Sequence, residues 1–418
     1  MRHFHPTIRI RLFLQFISSL STMAVLPYLI IYFSGQLGNM ITGILFICVM
    51  FSNVLGSILG GYVSDRIGRK KIIVLAELFI VLGYTGAALA NYTWGTFPYV
   101  TFVFFIVIQF SNGMVNPVYQ ALVIDVSSPN ERKTIYTYSY WLRNLGVAIG
   151  SIVGAFLFMN HLFLLLIGVA FTTMLSLLIT LLFIKETYRP SAKQTKSKAN
   201  QPFSIGKEYL HILKHRFFAI FLLSSSMIIM VEEQLTNYIG VRLANEIPEP
   251  VSITNIVSFE VDGINLLGIL KTENTIIIVC FTLLLMKIIK SWNERFTLMT
   301  GLFLFFVGYS VISFSTSPLL LLIAMLIASI GEMMYIPIQQ TILANIVPDY
   351  ARSTYMALYS IAVMGGVSVA GVFLMMSNWF SPVILTIIIS WIGMTSLFLF
   401  FQLTSKKAFL KAEHKAVG

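Results

Sequence analysis

A short charged stretch interrupts two long apolar segments at residues 61–71, and it reads Gly61-Tyr62-Val63-Ser64-Asp65-Arg66-Ile67-Gly68-Arg69-Lys70-Lys71. Charge is scarce elsewhere, because only 11% of the 418 residues are charged while 57% are hydrophobic. The mean hydropathy is +0.84. Such a composition lies far outside the range of soluble domains. The stretch is therefore a polar joint between two membrane spans, and the sequence predicts a polytopic membrane protein.

Twelve stretches of the sequence are long and apolar enough to cross a hydrocarbon core, which takes about 20 helical residues. They are continuously apolar instead of alternating, which predicts α-helices and not a β-barrel. The predicted fold class is all-α, with twelve transmembrane helices. The predicted spans are residues 9–34, 41–63, 71–90, 99–122, 134–158, 162–184, 217–241, 273–290, 296–314, 318–342, 353–377 and 381–403.

The longest polar joint divides the predicted spans six and six. The sequence predicts an N-terminal six-helix half (1–184), a cytoplasmic linker (185–215), a C-terminal six-helix half (216–405) and a cytoplasmic tail (406–418). Several matches at one offset indicate that the halves are a duplicated unit. A shift of 220 residues places Pro117 on Pro337, Gln120 on Gln340, Asp125 on Asn345, Arg132 on Arg352 and Gly146 on Gly366.

The net charge of +11 follows from the placement of the basic residues along the chain. Lysine and arginine are absent from alternate joints between spans, at residues 35–40, 91–98, 159–161, 315–317 and 378–380. By the positive-inside rule both termini and the middle joint are cytoplasmic. The basic side chains would contact anionic membrane lipids, and no nucleic-acid partner is expected.

The pattern Gly-x-x-x-Asp-Arg-x-Gly-Arg-Lys at residues 61–70, between two six-helix halves, resembles the signature loop of the major facilitator superfamily. Shorter stretches at 41–45, 124–127, 140–145 and 331–337 are similar to its multidrug/proton antiporter branch, the LmrP-like proteins. The resemblance implies a proton-coupled secondary active exporter of lipophilic, often cationic drugs that works by alternating access. It implies multidrug efflux, antibiotic resistance and a place in a bacterial cell membrane.

The charges of the signature loop suit a conformational role. Asp65 with Arg66 and Arg69 can pair across a cytoplasmic interface, and an aspartate can lie at the positive end of a helix. The resemblance implies that this helix is span eleven and that Asp125 completes a charge relay with Arg69. The alternative is that these charges only fix the topology and solvate the loop.

Glycines mark places where backbones can approach closely. Gly61 permits a close helix contact and Gly68 permits a turn with positive φ. Gly146, Gly150 and Gly154 lie at helical spacing in span five and predict an interface with another helix. Tight packing without functional motion is the alternative interpretation of this series.

Ionisable side chains within the spans carry the strongest functional signal, because an unpaired charge in hydrocarbon is costly and a carboxyl there tends to bind a proton. Glu332 in span ten is the leading candidate for proton coupling and substrate binding; a structural carboxyl is the alternative. Glu232 and Glu233 in span seven are further candidates, unless they lie at the water interface. Glu77 and Arg143 are candidate buried charges that could form a structural pair.

A substrate cavity needs aromatic and flexible apolar walls with a few polar groups. Asn116, Tyr119 and Tyr335 are candidate lining residues. Ser139 and Thr236 stand where LmrP-like proteins carry an acid, so this chain shares fewer acidic positions with that branch.

Residues 257–267 alternate about the pair Asp262-Gly263, which predicts a small β-hairpin in the outer loop between helices 7 and 8. Cys48 and Cys280 fall inside apolar spans, so we expect small buried side chains and neither a disulfide nor a metal site.

The sequence contains no nucleotide-binding loop, zinc helix or nucleophile elbow, so we expect a transporter and not an enzyme. It would need no cofactor besides a proton gradient, and it would work as a monomer on small lipophilic or cationic substrates. Two alternatives remain. The first keeps the fold and is an exporter or flippase of an endogenous lipid or metabolite, or an importer. The second belongs to another class and is a membrane receptor or an intramembrane enzyme.

Overall fold

A computed structural model describes residues 4–158, 161–188, 205–252, 260–377 and 379–405. Six long helices occupy the first part of the chain: α1 (Pro6–Leu37), α2 (Asn39–Ile67), α3 (Arg69–Leu89), α4 (Pro98–Val126), α5 (Pro129–Leu157) and α6 (Leu162–Phe183). Among the described residues, the α-helices that follow are α7 (Ile205–Leu213), α8 (Arg216–Glu232), α9 (Tyr238–Glu246), α10 (Gly263–Ile288), α11 (Glu294–Phe314), α12 (Pro318–Ile346), α13 (Arg352–Met376) and α14 (Pro382–Leu403). The predicted all-α fold is confirmed.

Ten of these helices are long and apolar enough to cross a membrane. The two remaining spans are α5, which carries charges at Glu131, Arg132, Lys133 and Arg143, and α8, which has only 17 residues. Each of the twelve predicted spans coincides with a helix, and span seven coincides with α8 and α9 together.

Local sequence sets where the helices begin. Pro98, Pro129 and Pro382 stand in the first turn of α4, α5 and α14, where a missing N–H costs nothing. The side chain of Asn293 accepts hydrogen bonds from the N–H groups of Arg295 and Phe296 and so caps α11. These residues place the polar joints at the ends of the apolar runs.

The hairpin exists, but its predicted turn was wrong. Strand β1 (Val251–Ser252) pairs antiparallel with β2 (Glu260–Val261), so the connection is 253–259, outside the described residues. Asp262 instead caps α10 by accepting the N–H of Asn265 at 2.7 Å. A Cβ on Gly263 would lie 1.9 Å from the Leu243 carbonyl oxygen. The Asp-Gly pair therefore starts a closely packed helix.

Two other boundaries differ from the predicted ones. Span seven is interrupted at residues 233–237, between α8 and α9, and span eight begins at Gly263 instead of 273. Within the predicted linker, α7 is an amphipathic helix whose Tyr209 and Ile212 are buried. The lysine- and serine-rich surroundings of α7 hid this short apolar pattern in the sequence.

The chain folds into two compact units, one formed by residues 1–210 with 347–361 and the other by 211–346 with 362–418. In the first unit α2 packs on α4, α1 on α5, and α3 on both α4 and α6. In the second unit α10 and α11 pack on α12, and α8 and α11 pack on α14. Both α4 and α12 contain an internal proline, Pro117 and Pro337, which are related by the offset of the repeat.

The prediction that Cys48 and Cys280 are buried was wrong, because both side chains are exposed on helix surfaces. Cys48 lies beside Phe51 and Leu55 in an almost entirely apolar groove between α2, α3 and α4. A small apolar side chain suits a lipid-facing surface as well as a protein core.

Candidate functional site

The carboxylate of Asp65, at the end of α2, caps the start of α13. It accepts the N–H of Ser353 at 3.2 Å, the N–H of Thr354 at 2.8 Å and the hydroxyl of Thr354 at 2.8 Å. Asp65 is only 1% exposed. A carboxylate at this position satisfies helix N–H groups that have no partner within the helix and opposes the helix dipole. A Cβ on Gly61 would come within 2.7 Å of the Ser353 carbonyl oxygen, so Gly61 makes this approach possible.

Arg69 joins Asp65 to Asp125. Its Nη1 donates to Asp65 Oδ1 at 2.5 Å and its Nε donates to Asp125 Oδ2 at 2.8 Å. Arg352, the first residue of α13, donates to the other oxygen of Asp125 and, at 2.6 Å, to Asp349. The structure thus brings together Asp65, Arg69 and Asp125, three of the four residues of the predicted relay, and extends it through Arg352 to Asp349. We call these five residues the charge chain.

Glu186, a residue that sequence reasoning missed, caps α3 from the segment after α6. Its carboxylate accepts the N–H of Arg69 at 2.9 Å and the N–H of Lys70 at 3.1 Å. Gly68 has φ of +112°, and a Cβ there would lie 2.4 Å from Glu186 Oε2. The predicted positive φ at Gly68 is therefore present, and the same glycine leaves room for the capping carboxylate. An acidic residue directly after span six was the available signal.

The prediction that Arg66 belongs to the relay was wrong, because its side chain turns to Glu208 and Tyr62 and not to the charge chain. Its guanidinium lies 4.1 Å from the centre of the Tyr62 ring and 3.4 Å from the carboxylate of Glu208 on α7. The hydroxyl of Tyr209 on the same helix donates to the Ile58 carbonyl oxygen at 2.8 Å, and burial raises the pKa of Tyr209. The contacts of Arg66 and Tyr209 therefore hold α7 against the C-terminal part of α2.

The glycine series of α5 packs directly on α1. A Cβ on Gly146, Gly150 or Gly154 would lie 2.6, 2.2 or 2.4 Å from a carbonyl oxygen of α1. In the second unit, Gly366 of α13 faces α8 in a similar way, with a Cβ 2.7 Å from the Ser226 carbonyl oxygen. The series is an interface between backbones, as its spacing predicted.

Glu332 lies at the middle of α12 and is 7% exposed. Its Oε2 accepts a hydrogen bond from Asn274 of α10 at 2.9 Å, and Asn274 also donates to Ser329 at 3.0 Å. Tyr335 is 1% exposed and its ring meets Phe305 edge-on with centroids 5.3 Å apart. The prediction that Tyr335 lines a cavity was wrong, because α11 covers its ring.

Glu232 and Glu233 end α8 at the interruption of span seven. Both are half-buried, and the hydroxyl of Thr236 donates to Glu233 Oε2 at 3.2 Å. Two further ionisable residues, Lys271 and Glu273, lie inside α10. Sequence reasoning missed these two because its span eight started at residue 273, which left Lys271 outside the span and Glu273 at its edge. The charged residues within or beside the spans of the second unit therefore include Glu232, Glu233, Glu273, Glu332 and Lys271.

The candidate pair of buried charges is not a pair. Glu77 of α3 accepts the hydroxyls of Tyr119 and Ser176, whereas Arg143 of α5 is exposed and lies 5.8 Å from the centre of the Tyr140 ring. The expected burial of Arg143 was wrong because its helix face borders an open cavity of about 460 Å³.

That cavity lies within the first unit and has a mixed wall. Asn116 and Tyr119, two of the predicted lining residues, contribute to it, as do Arg11 and Arg143. Ser139 also faces it and donates a hydrogen bond to Gln15 at 2.7 Å. Its volume falls in the range of sites for small organic molecules.

Membrane-length helices in two units, with ionisable side chains in their interior, are typical of secondary transporters. Residues 11–245 and 249–417 match the profile of the Major Facilitator Superfamily. The chain belongs to this family of transporters and is a multi-pass membrane protein.

A protein from Planococcus maritimus described as a Na(+), Li(+), K(+)/H(+) antiporter is 27% identical over 91% of this chain and 91% of its own length. The multidrug resistance protein MdtH of Photorhabdus laumondii is 29% identical, but over only 33% of this chain and 34% of MdtH. A solved structure of the E. coli fucose:proton symporter FucP aligns with a TM-score of 0.71 at 14% identity, covering 96% of this chain and 98% of that one. This last likeness concerns the fold alone.

Proposed function

We propose that this protein is a proton-coupled antiporter that exports lipophilic, often cationic compounds by alternating access. It would work as a monomer in a bacterial cell membrane, with both termini in the cytoplasm. A proton gradient would supply the energy, so the cycle requires no cofactor.

The observation that carries this proposal is Glu332 at the centre of α12. It lies 14 residues from either end of the helix, which corresponds to about 21 Å along the axis. An ionised carboxyl at this depth costs several kcal/mol unless a proton or a cation compensates it. The hydrogen bond that Glu332 accepts from Asn274 comes from an uncharged amide. A proton and a cationic substrate can therefore compete for the same carboxyl, which is the minimum requirement for antiport.

The charge chain would serve the conformational cycle. Every hydrogen bond that Asp65 makes to α13 comes from the first turn of that helix. A small displacement of this turn would break these bonds together, because hydrogen bonds weaken steeply with distance and angle. We assign Asp65, Arg69 and Asp125 to timing and not to substrate binding.

A second cargo, inorganic monovalent cations, is favoured by the relative from Planococcus maritimus, because the match extends over 91% of both chains. The match to MdtH favours drug export but covers a third of this chain. The mixed cavity wall, with aromatic, amide and apolar groups, supports organic compounds over bare ions.

The two cargoes can be separated in proteoliposomes with an imposed pH gradient and a fluorescent pH probe inside. We expect tetraphenylphosphonium to dissipate the gradient in the presence of the protein, and Glu332→Gln to abolish this effect. NaCl, LiCl or KCl would dissipate it instead if inorganic cations are the cargo.

Glu249→Gln is the matched control, because Glu249 is an exposed carboxyl in a loop and undergoes the same chemical change. It should transport as the unaltered protein does. If no cation of either kind dissipates the gradient while the protein remains folded, the proposed antiport is wrong.

A further inference from the structure

A second acidic side chain, Glu77, lies within a membrane span of the first unit and outside both the charge chain and the Glu332 region. It is 1% exposed. It lies eight residues after the start of α3, about 12 Å along the helix axis. This depth is well inside a hydrocarbon core about 30 Å thick.

The two oxygens of Glu77 differ in their surroundings. Oε1 accepts the hydroxyl of Tyr119 at 2.5 Å and the hydroxyl of Ser176 at 2.7 Å. Oε2 is buried and has no hydrogen-bond partner among the described residues. A buried carboxylate oxygen without a partner costs a desolvation penalty, which a bound proton or water would remove. Oε2 is thus the carboxyl oxygen that is open to a proton or a water molecule.

The charged and titratable groups around Glu77 are few. A small cavity of about 50 Å³ beside it is bordered by Arg11 from α1, Tyr119 from α4 and Tyr84 from α3 itself. The α6 side contributes only hydroxyl groups and apolar side chains to this wall. The volume holds a few water molecules, whose hydrogen bonds could reach Oε2.

Arg11 compensates Glu77 indirectly. Its guanidinium lies 3.3 Å from the centre of the Tyr119 ring, and the hydroxyl of that ring donates to Glu77. Arg11 is 7% exposed, and its Nε also has no partner among the described residues. Arg11 and Glu77 are therefore linked through the side chain of Tyr119, with no direct ion pair between them among the described residues.

The small cavity adjoins the larger one of about 460 Å³ in the same unit. Five residues border both cavities, namely Arg11, Ser18, Thr22, Asn116 and Tyr119. A charge that enters the larger cavity therefore lies one side-chain layer from Glu77. At such distances in a low-dielectric interior, electrostatic interactions are large compared with thermal energy.

We propose that Glu77 is a proton-binding site of the first unit, connected to the larger cavity through Tyr119 and Arg11. The proton exchanges at Oε2 with water in the small cavity, while Tyr119 and Ser176 hold Oε1 in place. Its part in coupling rests on the proposed antiport, whereas proton binding itself does not.

The test is a pH-induced infrared difference spectrum of the purified protein in lipid vesicles, with no substrate and no gradient. A protonated carboxyl has a C=O stretching band separate from the bands of a carboxylate. We expect a titrating band that is lost in Glu77→Gln and regained, at a shifted frequency, in Glu77→Asp. Glu332→Gln should keep this band, so that failure of the transport assay and failure of this assignment remain distinguishable.

Tyr119→Phe supplies an independent check if Glu77→Gln does not fold. It removes one hydrogen bond to Oε1 and keeps the ring beneath Arg11, so it should shift the band without abolishing it. A difference spectrum that is unchanged in Glu77→Gln, or a Glu77 band that does not vary with pH, would overturn the proposal and leave Glu77 as a fixed hydrogen-bond acceptor.

Discussion

Asp65 uses both carboxylate oxygens, one for Arg69 and the Ser353 N–H, the other for Thr354. We expect Asp65→Asn to lower the free energy of unfolding by about 3 kcal/mol, because it leaves a buried arginine with one fewer compensating charge. Asp349→Asn is the matched control, since its side chain is 88% exposed. It should cost less than about 1 kcal/mol. Thermal denaturation of both variants in detergent compares them, and equal losses would contradict the buried ion pair.

Gly68 combines a positive φ with a close neighbour. Gly68→Ala should be destabilising through backbone strain, which costs about 1–3 kcal/mol, and through displacement of Glu186. Gly95→Ala shares the strain, with φ of +142°, but its Cβ would meet nothing nearer than 3.7 Å. Thermal stability should therefore fall further in Gly68→Ala. Equal melting temperatures for the two variants would show that displacement of Glu186 does not contribute to the loss of stability in Gly68→Ala.

At the scale of the elements, the contact between α1 and α5 is sensitive to added volume. Gly150→Ala would place a methyl group 2.2 Å from the Leu20 carbonyl oxygen and force the helices apart, at about 1–3 kcal/mol. Gly168→Ala in α6 meets nothing within 4 Å and should stabilise the helix by up to about 1 kcal/mol. Opposite changes in melting temperature are the expected result. A stabilising Gly150→Ala would show that this interface is loose.

Sequence predicted the helices well and their interruptions poorly. Long apolar runs identify a span because lipid requires internally satisfied backbone groups. The interruption after Glu232 and the early start of α10 before Lys271 and Glu273 depend on tertiary packing, which places polar residues at depths that composition assigns to a loop. The hairpin turn failed for a related reason, because Asp-Gly starts a helix as readily as it forms a turn.

The part of the candidate site that belongs to a known motif could be predicted, because the motif indicates which residues lie close together in the fold. The motif indicated Asp65 and Asp125, but nothing local in the sequence links Glu186 to α3 or Tyr119 to Glu77. These contacts join residues 117 and 42 positions apart. The pattern of a single sequence shows which face of one helix or strand is apolar. It can therefore identify a charged residue within a span, but it does not show which other residues neutralise or hydrogen-bond that charge.

For the whole molecule, the topology gives a direct prediction. In a variant with Cys48 and Cys280 replaced by serine, a cysteine at Trp94 should react with a membrane-impermeant thiol reagent in intact cells. A cysteine at Lys290 should react only after lysis, because the positive-inside rule assigns it to the cytoplasm. Both native side chains are exposed; Trp94 lies between α3 and α4, and Lys290 lies in a short 3-10 helix directly after α10. The reverse labelling pattern would invert the proposed orientation.

The charge chain and its caps also have a consequence for biosynthesis. The partners of Arg69 lie 4, 56 and 284 residues away, and its backbone N–H is capped from 117 residues away. During translation the signature loop therefore emerges long before Glu186, and longer still before Ser353. Until then its charges would remain hydrated at the membrane surface. Closure of this cluster is consequently a late event in assembly, so a truncated chain that lacks α13 would retain an open, water-accessible loop.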